Sequence, residues 1–271
     1  MHRRPEEETA HSRIDVPHVN RLRDYLLGGS YHFTADRRLV TDLESRIPHV
    51  QEMAWTSQGF FHRAVTFLFG QGVRQFVHLG FGVRGVELVG EVARRKGLPC
   101  RLVYVDSDPV DVARGQLMLA QNPHAVAIRA DPWNVVEDVL ARPEARDTFD
   151  FAEPVALLAM NSVHFIKDIR DAARIIERYR DRLADRSYLV LSHATADIRP
   201  ADSAVIAELL DASGISVHFR PRPDVTSLFT GFDLVHPGLV TADEWRPEGP
   251  PTRHAERLAG AQLYVGVARK Q

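Results

Sequence analysis

The spacing of apolar and polar residues divides the chain into two parts of different texture. In the first 70 residues, apolar positions recur at the three- to four-residue spacing of amphipathic helices. This spacing predicts one helix from residue 19 to the glycine pair Gly28-Gly29, a second over residues 35–43 and a third over residues 52–69. Glycine or proline follows each of them, as is common where helices end. We therefore expect an N-terminal helical segment, residues 1–70.

From residue 71 onward, short apolar runs alternate with helical patterns. The runs lie at residues 75–79, 101–105, 125–129, 154–160 and 187–192, and helical patterns follow at 85–96, 110–121, 135–140, 169–183 and 201–212. This alternation is typical of a doubly wound, mostly parallel sheet. Two further strand candidates, residues 232–237 and 263–269, are joined by a proline-rich loop, which favours an antiparallel pair. We expect residues 71–271 to form one α/β core.

A glycine pattern follows the first strand of this core. The stretch FVHLGFGVRGVELVG places Gly80, Gly82 and Gly85 after an apolar run and before a helical pattern. In this context G-x-G-x-x-G permits a tight turn, a close approach of the backbone to a ligand and helix packing on the strand. NAD(P), FAD and S-adenosylmethionine are the main cofactors bound by such turns. The alternative is a tight turn without a ligand.

Carboxylates follow the next two strands. Asp106 ends the second strand, 24 residues after Gly82, where it could accept hydrogen bonds from both ribose hydroxyls of an adenosine. Asp131 follows the third strand and could accept from the adenine amine, with Trp133 against the adenine face. Helix capping is the alternative for both carboxylates, although Asp108 before a proline fits that role better than Asp106.

Two histidines follow the fourth and fifth strands. His164 comes after Asn161-Ser162, and His193 comes directly after the fifth apolar run. A histidine at this edge of the sheet could act as a general base, because its ordinary pKa lies near neutrality. The alternative is a histidine that orients a loop through hydrogen bonds to the backbone.

The segment RLRDYLLGGSYHFTADR, with Tyr25 and Gly28, precedes the core. A double glycine among aromatic residues could belong to a lid over the ligand. A helical hairpin packed on the edge of the sheet is the alternative.

Net charge, hydropathy and the absence of certain motifs argue against several classes of function. The chain has 34 Lys and Arg against 36 Asp and Glu, a net charge of -2, so no basic field favours nucleic acid. The start lacks the apolar region of a secretory signal and no apolar run approaches the length of a membrane span, which predicts a cytoplasmic protein. One cysteine and no H-x-x-x-H or C-x-x-C spacing predict no metal site. The absence of G-x-S-x-G and Walker motifs disfavours serine hydrolysis and phosphoryl transfer.

Several motifs together carry a resemblance to a known family. They are DYLLGG with F-x-A-D-R, R-Q-F-x-x-L-G-x-G, VYVDSDPV, PVALL with HF, YLVLSHAT, and LVHPGLV with EWRP. With these motifs, residues 14–270 resemble a bacterial family of S-adenosylmethionine-dependent methyltransferases that was long catalogued as a domain of unknown function. The resemblance implies the class I methyltransferase fold, a Rossmann-like seven-stranded sheet with an antiparallel final strand.

The resemblance also implies S-adenosylmethionine as cofactor, with its methionine part near Gly80 and Gly82, its ribose on Asp106 and its adenine on Asp131. Together with the strand-end residues and the possible lid, this defines a set of predicted cofactor contacts: Tyr25, Gly28, Gly80, Phe81, Gly82, Asp106, Ser107, Asp131, Pro132, Trp133, Asn161 and Ser162. A small molecule is the expected methyl acceptor, with His164 and His193 as candidate bases. Neither the acceptor nor an oligomeric state is specified by the sequence.

The chain departs from the family pattern at three places. His78 stands where methyltransferases usually carry an acidic residue, two positions before the first glycine, and Phe81 replaces a small residue. The tripeptide Ser30-Tyr31-His32 follows the glycine pair where the family often reads K-D-N. All three lie near the expected methionine end or lid. A non-catalytic binder of S-adenosylmethionine or S-adenosylhomocysteine is therefore one alternative.

An NAD(P)-dependent oxidoreductase is a second alternative, because the glycine turn suits it equally well. Asp131-Pro132-Trp133 and the terminal antiparallel strand pair favour the methyltransferase instead, since dehydrogenases of this kind need neither.

Overall fold

A computed structural model describes residues 14–80, 82–133, 139–249 and 262–271. Three helices come first: α1 (Val19–Leu26), α2 (Thr34–Arg46) and α3 (Val50–Gly70). The helices that follow are α4 (Val83–Lys96), α5 (Pro109–Leu119), α6 (Pro143–Thr148), α7 (Ile169–Arg182), α8 (Pro200–Ala212) and α9 (Arg222–Ser227). None of the helices in these ranges combines the length and the apolar character that crossing a bilayer requires.

The strands are β1 (Gln75–Leu79), β2 (Arg101–Asp106), β3 (Ala125–Arg129), β4 (Val155–Ala159), β5 (Tyr188–Ala194), β6 (Phe232–Leu234), β7 (Val240–Thr241) and β8 (Leu263–Lys270). They form one sheet in the order β3-β2-β1-β4-β5-β8-β6, and β7 also pairs with β8. The first five strands of this order are parallel, and β8 is antiparallel to β5, β6 and β7. The predicted seven-stranded sheet with an antiparallel final strand is confirmed, with the two-residue β7 as an addition.

The sheet is covered on both faces, so its inner strands are apolar throughout. Along β1, Phe76 contacts one buried layer and Val77 the other. Phe61 of α3 and Val89 of α4 belong to the layer of Phe76, whereas Ile176 of α7 belongs to the layer of Val77. Burial on both faces explains why the parallel strands appear in the sequence as continuous apolar runs.

The N-terminal helices share a third apolar cluster with α8. Leu22, Leu43 and Val50 come from α1, α2 and α3, and Leu210 comes from α8. All four side chains are buried, so the N-terminal helices pack on the sheet domain through apolar contacts.

Two buried carboxylates fix the turn between α1 and α2. Asp36, in the F-x-A-D-R motif, accepts from Arg21 Nε at 2.8 Å and from the Phe33 amide at 2.7 Å. A β-carbon on Gly29 would overlap the carboxylate of Asp24, so a larger residue there would displace that side chain. Both motifs of this segment are thus accounted for by the packing of the helices.

The predicted elements and the structure differ in detail. The strands predicted at residues 75–79 and 125–129 have the bounds of β1 and β3, whereas β5 continues to residue 194. The short elements α6, α9 and β7 were not predicted. The helix predicted over residues 135–140 lies largely outside the described residues.

Candidate active site

A cavity of about 370 Å³ lies at the carboxyl ends of the parallel strands. Its lining includes Gly80 after β1, Asp106 at the end of β2, Asp131 after β3, Asn161 after β4 and Ala194 at the end of β5. Parallel α/β sheets bind ligands at this edge, and the volume lies within the range of small-molecule sites. One side of the cavity is polar and the other is apolar.

Asp106 is the central carboxylate of the polar side. It is 5% exposed and accepts from Tyr104 Oη at 2.7 Å, from the Asp108 amide at 3.0 Å and from Asn20 Nδ2 at 3.3 Å. Burial raises the pKa of Asp106, and the hydrogen bonds from Asp108 and Tyr104 oppose that rise. The side chain is therefore held in one orientation at the cavity wall, where hydroxyl groups of a ligand could donate to it.

The loop after β3 carries Asp131, Pro132 and Trp133 into the same wall. The Asp131 side chain accepts from the Trp133 amide at 2.9 Å, and the start of the helix that it would cap lies outside the described residues. Tyr179 Oη of α7 donates to the Pro132 carbonyl at 2.9 Å and anchors the loop. Asp131 is exposed and retains acceptor capacity, so capping and ligand contact are compatible.

A second acidic group lies behind Asp106 at the start of α5. Asp108 caps this helix by accepting from the Val110 amide at 2.7 Å, as the sequence predicts. Asp111 accepts from Asn20 Nδ2 at 2.5 Å, and burial together with Asp106 raises the pKa of Asp111 to about 7.

His18, Asp108 and Asp111 bring three potential ligand atoms within 4.8 Å of one another. The distances would admit a cation. Helix capping and the Asn20 hydrogen bond explain the two carboxylates equally well.

The glycine turn adopts backbone angles that require glycine. Gly80 and Gly82 have φ values of 67° and 70°. A β-carbon on Gly82 would lie 3.1 Å from Asn20 Cβ, so α1 packs closely on the turn. Phe81 lies outside the described residues.

His78, which replaces the usual acid, is buried beneath this turn. Burial lowers the pKa of His78 to about 3, a hydrogen bond with the Gly80 backbone opposes this, and the Arg23 charge lowers it further. The ring packs 5.5 Å from the Phe61 ring and 5.9 Å from the Tyr104 ring. A neutral imidazole therefore supports the turn from inside the core, and Arg23 lines the cavity above it.

Asn161 and Ser162 follow β4. Asn161 has φ 47° and its side chain is held between Ser57 Oγ at 2.7 Å and Ser192 Oγ at 2.8 Å. Ser162 is 6% exposed, and its hydroxyl has no hydrogen-bond partner among the described residues. Ser162 lines the cavity next to Gly80, so this buried hydroxyl is a candidate contact for a ligand.

The two histidines differ in position. His164 lines the cavity, and its Nδ1 accepts from the Ala194 amide at 3.4 Å, which leaves the proton of the neutral ring on Nε2. His193 is fully buried; Nδ1 donates to the Ala194 carbonyl at 2.8 Å and Nε2 accepts from Arg220 at 2.7 Å. Burial is the main cause that lowers the pKa of both, to about 4 for His193. The contacts of His193 fit the alternative prediction of a histidine that orients a loop.

The apolar side of the cavity is built from helices. Its lining residues come mainly from α1, α2, α3, α8 and the segment after α8: Leu22, Leu26, Leu43, Val50, Met53, Ala54, Ile206, Leu210, Val217 and Phe219. We call this part the apolar chamber. Phe165 and Leu263 add to the lining from the core, and its polar residues Ser57 and Gln262 are hydrogen-bonded to Asn161 and Ser203.

The structure brings most of the predicted site residues together. The cavity lining includes Gly80, Asp106, Ser107, Asp131, Pro132, Trp133, Asn161, Ser162 and His164. Among the described residues, Tyr25, Gly28, Gly82 and His193 are not part of this lining. The Tyr25 ring packs 4.5 Å from the His32 ring, and Gly28 is exposed after α1.

Sequence reasoning missed Asn20 and Arg23 of α1 and all the residues of the apolar chamber. The helical pattern of α1 marks neither polar residue as different from any other surface residue. Only the packing of α1 over the strand ends gives them a place in the cavity.

The chain is similar to proteins of one family over nearly its whole length. The model of the S-adenosyl methyltransferase family matches residues 5–271. A DUF574 family protein from Streptomyces avermitilis is 31% identical, with a TM-score of 0.86 over 96% of this chain and 100% of that one. A candidate methyltransferase from Thermobifida fusca is also 31% identical, with a TM-score of 0.86 over 95% of this chain and 96% of that one. No curated protein matches the chain.

Proposed function

The chain belongs to the S-adenosyl methyltransferase family, and on that premise we propose that it methylates a small molecule held in the cavity beside the cofactor. S-adenosylmethionine is the cofactor of this family and, when bound, supplies an electrophilic methyl group on a positively charged sulfur. The observation that carries the proposal is that one cavity joins a polar wall of strand ends to an apolar chamber.

The polar wall fits the adenosine part of the cofactor. Asp106 would accept hydrogen bonds from the ribose hydroxyls, since its carboxylate lines the cavity in a fixed orientation. Asp131 would accept from the adenine amine, with Trp133 against the ring. Hydrogen bonds to a charged acceptor are the stronger kind, so Asp106 is expected to contribute most of the affinity.

The wall formed by Gly80, Ser162 and Arg23 fits the methionine part. Gly80 allows the backbone to approach a ligand, the Ser162 hydroxyl is buried without a partner, and the Arg23 guanidinium suits a carboxylate. The contacts predicted for Tyr25, Gly28, Phe81 and Gly82 stay predictions.

We assign the lid role to residues 1–70 and the cofactor-binding core to residues 71–271. Helices α1 and α3 line the cavity together with the strand ends, so they would exclude water from a bound cofactor. Alignment and exclusion of water are the main needs of methyl transfer, because it is a direct displacement.

His164 is the proposed polar contact of the acceptor. Since Nδ1 accepts from a backbone amide, Nε2 of the neutral ring carries a hydrogen and would donate to an acceptor oxygen. A general-base role would require the other tautomer. His193 would hold this side of the cavity in position, because its two ring nitrogens form hydrogen bonds with Ala194 and Arg220.

Calorimetric titration of the purified chain with S-adenosylmethionine, S-adenosylhomocysteine and NAD tests the proposal. We expect micromolar affinity for the two adenosyl ligands and none for NAD. Binding of NAD alone would favour the oxidoreductase alternative and overturn the proposal.

The neutral His78 is the observation that favours a second candidate, a non-catalytic binder of S-adenosylmethionine. Such a binder would pass the titration yet release no S-adenosylhomocysteine with any acceptor. Release of S-adenosylhomocysteine that depends on an added acceptor would eliminate this candidate.

A further inference from the structure

We infer that the methyl acceptor is an apolar molecule whose reacting atom is a weakly acidic oxygen, as in a phenol or an enol. This inference rests on the proposed function and specifies its substrate class.

The apolar chamber determines the polarity of the acceptor that it can bind. Leu22 and Leu26 of α1, Leu43 of α2, Met53 of α3 and Leu210 of α8 approach from four helices. Aliphatic walls on several sides favour a ligand that buries apolar surface, at about 25 cal/mol per Å². A strongly hydrated acceptor, such as a sugar or an amino acid, would lose its water there without replacement hydrogen bonds.

The charges around the chamber select the reacting group. The carboxylates in the cavity lining, Asp106 and Asp131, follow β2 and β3 on the polar side. Within the part of the chain that the structure describes, no Asp or Glu lines the chamber, whereas Arg23 does line the cavity. A protonated amine would therefore be buried near a like charge and without a counterion, which is unfavourable.

Positive charge also lies behind His164 and His193. Arg220 donates to His193 Nε2 at 2.7 Å, and the His193 ring packs 5.7 Å from the His164 ring. Burial lowers the pKa of His164, and His193, Arg220 and His218 lower it further. His164 is thus kept neutral beside a cation, an arrangement that favours an oxygen that develops negative charge.

One hydrogen-bonding group of the lining serves that oxygen: His164 offers Nε2–H. Ser162 is assigned to the methionine part and marks the side on which the cofactor would lie. Ser162 adjoins the glycine turn, since a β-carbon on Gly80 would lie 3.7 Å from Ser162 Cβ. The acceptor oxygen would therefore be held on the side of the chamber that meets the cofactor.

The chemistry of the step is balanced without another reactant. The acceptor hydroxyl loses its proton to bulk water before it enters the cavity, so the oxygen binds as an anion. An oxygen lone pair then forms the bond to the methyl carbon while the carbon–sulfur bond breaks. The electron pair of the broken bond stays on sulfur, so the products are a methyl ether and the neutral thioether S-adenosylhomocysteine.

Matched probes test this inference on the full chain saturated with S-adenosylhomocysteine. We would titrate 2-naphthol and 2-naphthylmethylamine at pH 8, where the amine is protonated and the apolar ring is shared. We expect 2-naphthol to bind at least about tenfold more tightly than the amine. Equal affinity, or tighter binding of the amine, would overturn the inference.

A pair of variants on α3 locates the probe. Met53→Gln places an amide in the chamber and is expected to weaken 2-naphthol binding about tenfold. Trp55→Gln is the control, because Trp55 is 53% exposed on the same helix. Unchanged 2-naphthol affinity in Met53→Gln would count against the chamber as the acceptor site. Titration with S-adenosylhomocysteine shows that each variant is folded.

The two proposals fail differently. If the wild-type chain does not bind S-adenosylhomocysteine, the proposed function fails before any probe is added. If it binds S-adenosylhomocysteine but not 2-naphthol, only the inference about the acceptor fails. Formation of 2-methoxynaphthalene from 2-naphthol and S-adenosylmethionine, detected by mass spectrometry, would support both.

Discussion

The polar wall and the apolar chamber belong to one cavity, yet the chain builds them in different ways. The polar wall consists mainly of residues at strand ends, and hydrogen bonds fix several of their side chains, such as Asp106 and Asn161. The chamber consists of apolar side chains, most of them from four helices, that contact one another without directional bonds. Under the proposed function, specificity for the cofactor would be tied to the sheet, whereas specificity for the acceptor could vary with the helices.

The largest effect that would sharpen this comparison is expected from Asp106→Ala. Loss of a charged acceptor for two hydroxyls should weaken S-adenosylhomocysteine binding about 100-fold, or about 3 kcal/mol. Binding of 2-naphthol to the chamber should change little. Calorimetry measures both affinities.

Asp185→Ala is the control for this variant, because the Asp185 side chain is 85% exposed and lies away from the cavity lining. If Asp106→Ala keeps the wild-type affinity for S-adenosylhomocysteine, then Asp106 does not hold the ribose and the polar wall does not act as proposed.

A smaller effect is expected where α1 meets the polar wall, at Asp111. Burial and Asp106 raise the pKa of this carboxyl from 3.8 to about 7, so between these values the folded chain binds a proton that the unfolded chain has lost. The stability that this group contributes is present below pH 4 and is lost as the pH rises through 7. Asp111→Asn should therefore be more stable than wild type at pH 8, on the order of 2 kcal/mol, and equally stable at pH 4.

Denaturant unfolding at several pH values measures the Asp111 effect. Asp171→Asn serves as the control, since Asp171 also lies in the first turn of a helix but is half exposed. A difference between wild type and Asp111→Asn that does not grow with pH would contradict the raised pKa.

The smallest effect is expected at the glycine turn. Gly82→Ala and Gly28→Ala both place a side chain at φ near 70°, which costs about 1–2 kcal/mol of stability. Only Gly82 has a close neighbour, Asn20, so only Gly82→Ala should also weaken S-adenosylhomocysteine binding, by several-fold. Thermal unfolding and calorimetry separate the two effects. An equal loss of affinity in Gly28→Ala and Gly82→Ala would show that the close approach of Asn20 to Gly82 does not affect cofactor binding.

The sequence predicts the sheet well because its inner parallel strands are buried on both faces and its edge strand β3 is short and mostly apolar. Continuous apolar runs bounded by charged or turn residues mark β1 and β3 at their observed bounds. The elements α6, α9 and β7 are too short to show a periodic pattern. The two residues of β7 are ordered as a strand by pairing with β8, a contact that local sequence does not encode.

The polar wall was also predictable, because the carboxyl ends of parallel strands meet at one edge of the sheet. His193 shows the limit of this argument. The sequence places it just after β5, but the strand continues to Ala194, and neighbouring residues in a strand point to opposite faces. Ala194 lines the cavity, so His193 faces away from it. The chamber was not predictable, because Leu22 and Leu210 meet only through the tertiary fold.

The position of β8 between β5 and β6 determines when the sheet can be completed during synthesis. As the polypeptide leaves the ribosome, β5, β6 and β7 all emerge before the strand with which they pair. Until residues 263–270 appear, β5 presents an open edge of the kind that promotes aggregation. Pairing of β5 with β8 is therefore a late, long-range event. The nascent chain keeps this aggregation-prone edge until β8 has emerged.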